Sequence, residues 1–374
     1  MKFFLIAGEP SGDQHAAALI TAIRKIDPEA QFAFFGGEQM EAAAEVKAVV
    51  PLSDLAFMGF SQLVTKASRI RENFRRCHEA ILSFEPDVLV PVDYGGFNLR
   101  MIRWAKRQDL RVVYYIPPKT WAWMPGRTGR LARYTNRVLV TLPFEEPFFR
   151  QRGVHAVYVG NPVAEQLEPA RTLNKELLRE NLGLDEAKVI ALLPGSRHQE
   201  LLDMLPVMAG VIDDFPDYQF VIAAHERFTD DQIREFAGKS NLLIMRGKTH
   251  ELLAIADAAL VTSGTATLET ALLGTPQIVC YRTAPTSYLI ARMLIQVRHI
   301  SLVNLILEEA CVPELIQGDL TDKKLRQELL RILEDQDYRN RMLLGYDRLK
   351  GILGRASSSE TAARWVVDTA KGLY

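Results

Sequence analysis

The sequence predicts an α/β protein built from two Rossmann-like domains that face each other across a cleft. Its 374 residues suggest about two domains. Short apolar runs end in small-residue turns and lead into helices, as parallel strands covered on both faces do. This strand, turn and helix opening occurs at residue 2 and again at residue 189. The architecture therefore repeats, although the sequence itself does not.

Composition narrows the class of protein. The chain is 48% hydrophobic and 24% charged, with a net charge of −1, which is typical of a soluble globular protein. Such a neutral balance indicates no nucleic-acid partner. Cys77, Cys280 and Cys311 are distant from one another and odd in number. They indicate a reducing compartment rather than a disulfide framework or a metal site.

The first seven residues resemble the start of a signal peptide but run directly into Gly8 and Glu9, so a first strand is the better interpretation. No apolar segment is long enough to span a bilayer, and any membrane contact is expected to be peripheral. The turn at residues 8–13 precedes a helix predicted over 14–26. Ser11 and Gly12 are substrate-binding candidates there, with a plain connecting turn as the alternative.

The stretch 87–98 is the centre of the predicted N-terminal site. Residues 88–92 form a buried strand, Asp93 stands at its end, and Gly95 and Gly96 turn the chain. Ligands of open α/β sheets bind outside the carboxyl ends of the strands, so Asp93 is placed to reach one. The alternative is that Asp93 caps the following helix.

An apolar segment with a basic helix behind it suggests a membrane-docking surface. The residues predicted to dock are Phe57, Met58, Phe60, Arg69 and Arg76. Aromatic side chains beside basic ones suit an anionic membrane surface. An ordinary solvated helix face is the alternative.

Two turns of the second half suit a nucleotide. In the turn at residues 194–197, Gly195 allows close approach, Ser196 can bond an oxygen, and Arg197 offers a planar fork for phosphate. A surface salt bridge is the alternative for this arginine. The second turn begins at Ser263 and opens a helix, and its hydroxyls and free N–H groups form a phosphate cradle. Glu269, one turn into that helix, is expected to accept a hydrogen bond from a ribose hydroxyl. The alternative is that its charge only interacts favourably with the helix dipole.

Domain boundaries follow from strand and proline positions. Residues 1–163 are predicted as the N-terminal Rossmann-like domain and 164–355 as the C-terminal Rossmann-like domain. A capping-box pattern at 357–360 opens a final helix, predicted over 356–371, that completes the first domain. Packing on a partner subunit, and hence a homodimer, is the alternative.

Six motifs in this order resemble the lipid A disaccharide synthase family over nearly the whole chain. They are Gly8-Glu-Pro-Ser-Gly-Asp13, Phe57-Met-Gly59, Val92-Asp-Tyr-Gly-Gly-Phe-Asn98, Trp121-Ala-Trp123, Leu193-Pro-Gly-Ser-Arg197 and Ser263-Gly-Thr-Ala-Thr-Leu-Glu269. The resemblance implies a glycosyltransferase-B architecture. It also implies that UDP-2,3-diacylglucosamine and 2,3-diacylglucosamine 1-phosphate are joined into the β-1,6 disaccharide with release of UDP. The implied location is cytoplasmic, peripheral on the inner face of the inner membrane of Gram-negative bacteria.

The resemblance also assigns residues. The family's essential Asp and Arg map onto Asp93 and Arg197, and no cofactor or metal is implied. The implied substrate-binding residues are Ser11, Gly12, Asn98, Gly195, Ser196, Ser263, Gly264, Thr265, Glu269 and Asn304. The chain departs from the family pattern at Gly95-Gly96, where many members have Pro-Asp.

Two other functions stay open from sequence alone. One is another UDP-sugar enzyme of this architecture, such as an N-acetylglucosaminyl transferase or a 2-epimerase. The other is a non-catalytic nucleotide-sugar-binding protein on a membrane, against which the pairing of Asp93 with Arg197 argues.

Overall fold

The computed structural model describes residues 1–55, 63–122, 125–167, 175–240, 242–284, 288, 297–354 and 357–373. The chain divides into two compact units. The N-terminal unit comprises Met1–Pro162 and Arg355–Tyr374, and the C-terminal unit comprises Val163–Gly354.

The described part of the N-terminal unit has seven strands, which are β1 (Lys2–Ile6), β2 (Gln31–Gly36), β3 (Val50–Pro51), β4 (Val88–Pro91), β5 (Val113–Tyr115), β6 (Arg137–Val140) and β7 (Ala156–Tyr158). Strands β3-β2-β1-β4 and β5-β6-β7 pair in parallel. Parallel bridges from Leu89 to Val112 and from Val92 to Tyr115 join the two sets. The order is therefore 3-2-1-4-5-6-7, a Rossmann arrangement.

Helices cover both faces of this sheet. They are α1 (Pro10–Ile26), α2 (Glu38–Ala44), α3 (Leu52–Leu55), α4 (Leu63–Phe84), α5 (Gly95–Arg107), α6 (Thr128–Tyr134) and α7 (Glu145–Arg150), with a 3-10 turn at Pro125–Arg127 and the C-terminal α17 (Ser358–Ala370). Helix α17 packs on α1 of its own chain, and its apolar residues join the core that contains Phe3 and Leu5.

The described strands of the C-terminal unit are β8 (Lys188–Leu193), β9 (Tyr218–Ala223), β10 (Leu243–Met245), β11 (Ala258–Thr262), β12 (Gln277–Tyr281) and β13 (Glu314–Ile316). All pair in parallel, in the order β10-β9-β8-β11-β12-β13. As in the N-terminal unit, the first strand lies inside the sheet: β9 and β10 are on one side of β8, and β11 to β13 are on the other.

The described helices of this unit are α8 (Pro162–Leu167), α9 (Lys175–Asn181), α10 (His198–Gly210), α11 (Asp230–Ala237), α12 (Thr249–Ile255), α13 (Thr265–Leu273), α14 (Leu302–Leu307), α15 (Asp322–Glu334) and α16 (Gln336–Leu353), with 3-10 turns at Ile212–Asp214 and Gln317–Asp319. Helix α8 begins at the last residue of the N-terminal unit.

Each unit has a point where the strand order reverses. It lies between β1 and β4 in the N-terminal unit and between β8 and β11 in the C-terminal unit. Open α/β sheets bind ligands at this switch point, outside the carboxyl ends of the strands. The segments after these four strands carry all the catalytic and substrate-binding candidates except Asn304, and they include Asp93 and Arg197.

Helix α1 begins earlier than the sequence predicts. It starts at Pro10 rather than near residue 14, because proline is well suited to the first turn and Glu9 before it is extended. Ser11 and Gly12 therefore lie in the first turn of the helix and not in a loop. Asp13 in the same turn is buried and accepts hydrogen bonds from the backbone of Gly37 and Gln39, which fixes α1 to the turn after β2.

Candidate active site

The turn after β4 holds Asp93 in an unusual backbone conformation. Asp93 and Tyr94 have φ of 48° and 49°, the left-handed region that few non-glycine residues adopt. Two such residues in succession cost on the order of 1–3 kcal/mol each and persist only where the surroundings impose them. Strain of this kind concentrates at functional sites.

Three hydrogen bonds impose that conformation. The backbone N–H of Asp93 donates to the carbonyl of Tyr115 at 3.1 Å. Its own carbonyl accepts from the Tyr114 hydroxyl and from the Asn98 amide, each at 2.8 Å. The backbone of Asp93 is thus fixed by β5 and α5, which leaves its carboxylate as the group available for chemistry.

The environment of the Asp93 carboxylate makes it a suitable proton acceptor. Partial burial raises the pKa of Asp93, while the nearby Lys119 ammonium and the Tyr94 backbone N–H act in the opposite direction. A carboxylate with a raised pKa is a stronger base than one in water, and a base works best when its pKa approaches the working pH. Sequence patterns alone did not identify Lys119, because it reaches Asp93 only through the fold.

Asn98 stabilises the turn after β4. Its side chain is fully buried. Its amide group donates to the carbonyl of Asp93 at 2.8 Å and, at longer range, to those of Ile6 and Val92. The donors of Asn98 thus hold together the ends of β1 and β4, and its role in substrate binding stays a prediction.

The loop that carries Trp121 is anchored by the buried carboxylate of Glu145. The Trp121 indole N–H donates to Glu145 Oε1 at 2.8 Å, and Glu145 Oε2 accepts from the backbone of Leu142 at 3.1 Å. Burial raises the pKa of Glu145. At the other end of the loop, Pro118 lies against Gly95 beside the Asp93 turn. Trp123 lies outside the described residues.

The turn after β8 forms a pocket for a negative charge, which one of the protein's own carboxylates occupies. Gly195 has φ of +105°, and the carboxylate of Glu200 lies against it. Glu200 accepts from the backbone N–H groups of Ser196 at 2.9 Å and of Arg197 at 3.1 Å. The Arg197 guanidinium, 79% exposed, donates to the same group at 2.7 Å. These donors are the kind that bind a phosphate.

The turn after β11 presents a helix N-terminus. Gly264 precedes α13. Within the part of the chain that the structure describes, the backbone N–H groups of Gly264 and Thr265 donate to no acceptor. Ser263 donates from its hydroxyl to the carbonyl of Ile300 at 3.1 Å, which fixes the turn. Free N–H groups at the positive end of the helix dipole attract anions.

Glu269 has a partner that the sequence did not indicate. Its carboxylate lies 3.2 Å from Nε2 of His250, at the start of α12. The hydrogen bond to Glu269 raises the pKa of His250, although burial opposes this. The pair adds a titratable group close to the helix start of α13.

Asn304 is buried and has hydrogen-bond partners on both sides of its amide. Its side chain exchanges bonds with the backbone of Val312 and donates to Glu314, each at 2.9 Å. It holds the start of α14 to the segment before β13. Substrate binding by Asn304 stays a prediction.

Of the predicted docking residues, Phe57, Met58 and Phe60, and the side chain of Arg69, lie outside the described part of the chain. Arg76 is described and lies 3.7 Å from Asp54. No helix among the described residues combines the length and apolar character needed to cross a bilayer. Within the same residues, no group of three or more His, Cys, Asp or Glu side chains is arranged to hold a metal.

Comparison with solved structures identifies the fold. The UDP-GlcNAc 2-epimerase of Neisseria meningitidis, solved with UDP-GlcNAc, superposes with a TM-score of 0.68 at 14% identity, covering 100% of both chains. A glycosyltransferase of kitacinnamycin superposes with a TM-score of 0.64 at 12% identity, covering 99% of this chain and 98% of the other. The fold is therefore the one shared by glycosyltransferases of the B type and UDP-GlcNAc 2-epimerases.

Sequence relatives then separate these possibilities. The model of the lipid-A-disaccharide synthetase family matches residues 3–364. The lipid-A-disaccharide synthase of Syntrophus aciditrophicus is 38% identical, over 96% of this chain and 95% of the relative. That of Geobacter sulfurreducens is 33% identical, over 98% and 97%. The chain belongs to the lipid-A-disaccharide synthetase family, as its motifs predict.

Proposed function

We propose that this chain is an inverting glycosyltransferase that condenses UDP-2,3-diacylglucosamine with 2,3-diacylglucosamine 1-phosphate. The products are the β-1,6 lipid A disaccharide 1-phosphate and UDP. The observation that carries the proposal is the family match over residues 3–364. The two switch-point turns support it, since one presents a carboxylate and the other a set of phosphate-binding donors.

Asp93 is the proposed general base. Its carboxylate takes the proton from the acceptor 6-hydroxyl as that oxygen attacks the anomeric carbon of the donor sugar. The bond from the anomeric carbon to the UDP oxygen breaks on the opposite side, which inverts the configuration. The burial that raises the pKa of Asp93 increases its basicity for this step.

Arg197 and the start of α13 are proposed to stabilise the leaving group. Negative charge develops on the diphosphate as the glycosidic bond breaks. A guanidinium fork and free backbone N–H groups, already oriented by the turns after β8 and β11, lower the energy of that charge. Because Glu200 accepts from the Arg197 guanidinium and from the backbone N–H groups of Ser196 and Arg197, diphosphate binding at the turn after β8 requires that its carboxylate move aside.

The lipid substrates imply work at a membrane surface. We propose peripheral association with the cytoplasmic face of the inner membrane through Phe57, Met58 and Phe60, together with Arg69 and Arg76. A homodimer stays a prediction, and the mass of the protein in detergent-free solution tests it.

One incubation tests the reaction. Purified protein is mixed with both lipid substrates, and mass spectrometry measures disaccharide and UDP. We expect both products in equal amounts, and far less UDP when non-acylated UDP-GlcNAc replaces the donor. Epimerised UDP-GlcNAc would indicate a 2-epimerase instead, and UDP binding without turnover a non-catalytic protein.

A control variant shows that the product depends on the site. Asp109 also has a left-handed backbone, with φ of 55°, and is exposed. Asp109→Asn removes a carboxylate from another left-handed position, which follows the far end of helix α5 from the turn after β4. It is expected to keep full activity, whereas Asp93→Asn is expected to lose it.

A further inference from the structure

Four arginines line an open groove on the N-terminal unit. Arg100, Arg103 and Arg107 come from α5 and Arg130 comes from α6. The groove has a volume of about 610 Å³. We call it the arginine groove. Neither the proposed reaction nor the family motifs use any of these four residues.

The spacing on α5 places the three guanidinium groups along one face. Positions three, four and seven apart share a side of an α-helix, and seven residues extend about 10 Å along its axis. All four arginines of the groove are exposed. Positive charge therefore extends as a row across the surface and is not focused on a single point.

These arginines lack acidic partners among the described residues. No described carboxylate lies within 4.0 Å of Arg100, Arg103, Arg107 or Arg130, by contrast with many other arginines of the chain. Unpaired guanidinium groups in one groove repel each other. An anion that bridges them would relieve this repulsion, and phosphate matches the guanidinium fork best.

An aromatic floor completes the groove. The imidazole of His78 stacks on Trp104 with ring centroids 4.1 Å apart, and the Arg100 guanidinium lies over Phe74 at 5.7 Å. The Phe74 ring thus helps to hold the Arg100 guanidinium in the groove. A tryptophan beside arginines is a typical arrangement where a protein meets the headgroup layer of a bilayer.

We propose that the arginine groove binds the phosphate groups of anionic membrane lipids. A row about 10 Å long, open to solvent, suits several neighbouring headgroups better than one small anion. The inference rests on the membrane association proposed above, but not on the transfer reaction.

Vesicle binding tests the groove in the full-length protein. The triple variant Arg100→Gln, Arg103→Gln, Arg107→Gln is compared with the unmodified protein by co-sedimentation with vesicles of phosphatidylcholine alone or with phosphatidylglycerol added. Unmodified protein is expected to bind the anionic vesicles more tightly. The triple variant is expected to lose that preference, with ~10-fold or greater weakening, and to retain its binding to neutral vesicles.

A matched triple variant controls for net charge. Arg24, Arg75 and Arg150 also lie in the N-terminal unit, and each is already paired with a carboxylate. Changing these three to Gln alters the net charge equally, yet is expected to leave the lipid preference nearly intact. Equal losses in the two triple variants would overturn the inference.

A soluble anion distinguishes the source of the phosphate. Inorganic phosphate is added to the unmodified protein and the groove variant at constant ionic strength. If it binds only the unmodified protein while both bind anionic vesicles equally, the groove is a soluble-phosphate site and the lipid inference fails. Transfer activity is measured with detergent-dispersed substrates, where the groove variant is expected to match the unmodified protein. That result would separate failure of the groove from failure of the enzyme.

Discussion

The ring of Tyr94 lies directly on Gly8, so that a Cβ atom at Gly8 would stand 2.4 Å from two of its carbons. No real side chain tolerates that distance. The turn after β1 and the turn after β4 therefore fit together only because residue 8 has no side chain. Since Tyr94 follows Asp93, this contact helps to set where the proposed base stands.

Replacing this glycine should displace the base. Gly8→Ala forces the Tyr94 ring away and is expected to destabilise the fold by about 1–3 kcal/mol, as overpacking does. Transfer activity per folded molecule should fall as well, because the Asp93 turn moves with the ring. Denaturant titration and steady-state rates measure the two effects.

Gly96 provides the matched control for that variant. It lies in the first turn of α5, and nothing stands within 4 Å of a Cβ placed there. Gly96→Ala should be neutral or slightly stabilising, because alanine favours the helix. Equal damage from both variants would show that the Gly8 contact has no special role.

Removing the charge of Asp93 should stabilise the protein while it abolishes activity. Because burial raises the pKa of Asp93, the folded state binds a proton that the unfolded state releases as the pH passes about 4. The unmodified protein thus loses stability over that range, and Asp93→Asn does not. Asparagine also tolerates the left-handed backbone that this position requires.

The measurement is the melting temperature of both proteins from pH 4 to pH 8. The advantage of Asp93→Asn is expected to grow as the pH rises from about 4 and then to level off. Asp93→Ala lacks the side chain suited to this backbone and should be less stable than Asp93→Asn. A constant difference across the pH range would contradict the raised pKa.

His250 and Glu269 should give the C-terminal unit a stabilisation that is likewise lost as the pH rises. The pKa of His250 is raised in the folded state by its bond to Glu269, so the stabilisation is complete below the unfolded value, about 6.5. It disappears as the pH rises through the folded value. His250→Gln should therefore cost most stability in mildly acidic buffer and progressively less above neutrality.

Calorimetric melting of the two proteins at several pH values measures that trend, with UDP absent. Glu269→Gln removes the other partner and should reproduce the same pH dependence. A loss that stays constant with pH in both variants would mean that the proton on His250 contributes nothing.

The positions of the strands could be predicted because an apolar run is a local feature of the sequence. Residues 88–92 and 189–193 are continuous apolar runs, and the structure buries Val88 and Val189 completely. The turns after them were predictable for the same reason. The start of α1 was wrong by about one turn, since proline at a first helical position looks, in sequence, like part of a loop.

The partners of the candidate residues could not be predicted, since they depend on distant chain segments. Lys119 acts on Asp93 because β4 and β5 are neighbouring parallel strands whose turns lie at the same edge of the sheet. His250 bonds to Glu269 because helix α12 packs against helix α13. The contact between Glu200 and Arg197 could have been predicted from the sequence. Glu200 lies three residues after Arg197, a capping-box spacing that the sequence already contained.

The central claim is that Asp93 performs the chemistry while Arg197 holds the diphosphate. Its most direct test measures UDP affinity by calorimetry and single-turnover transfer by mass spectrometry on the same three proteins: unmodified, Asp93→Asn and Arg197→Met. Asp93→Asn should bind UDP normally and transfer at least ~10²-fold more slowly, whereas Arg197→Met should lose UDP affinity as well as rate. Normal transfer by Asp93→Asn, or unchanged UDP affinity in Arg197→Met, would contradict this assignment.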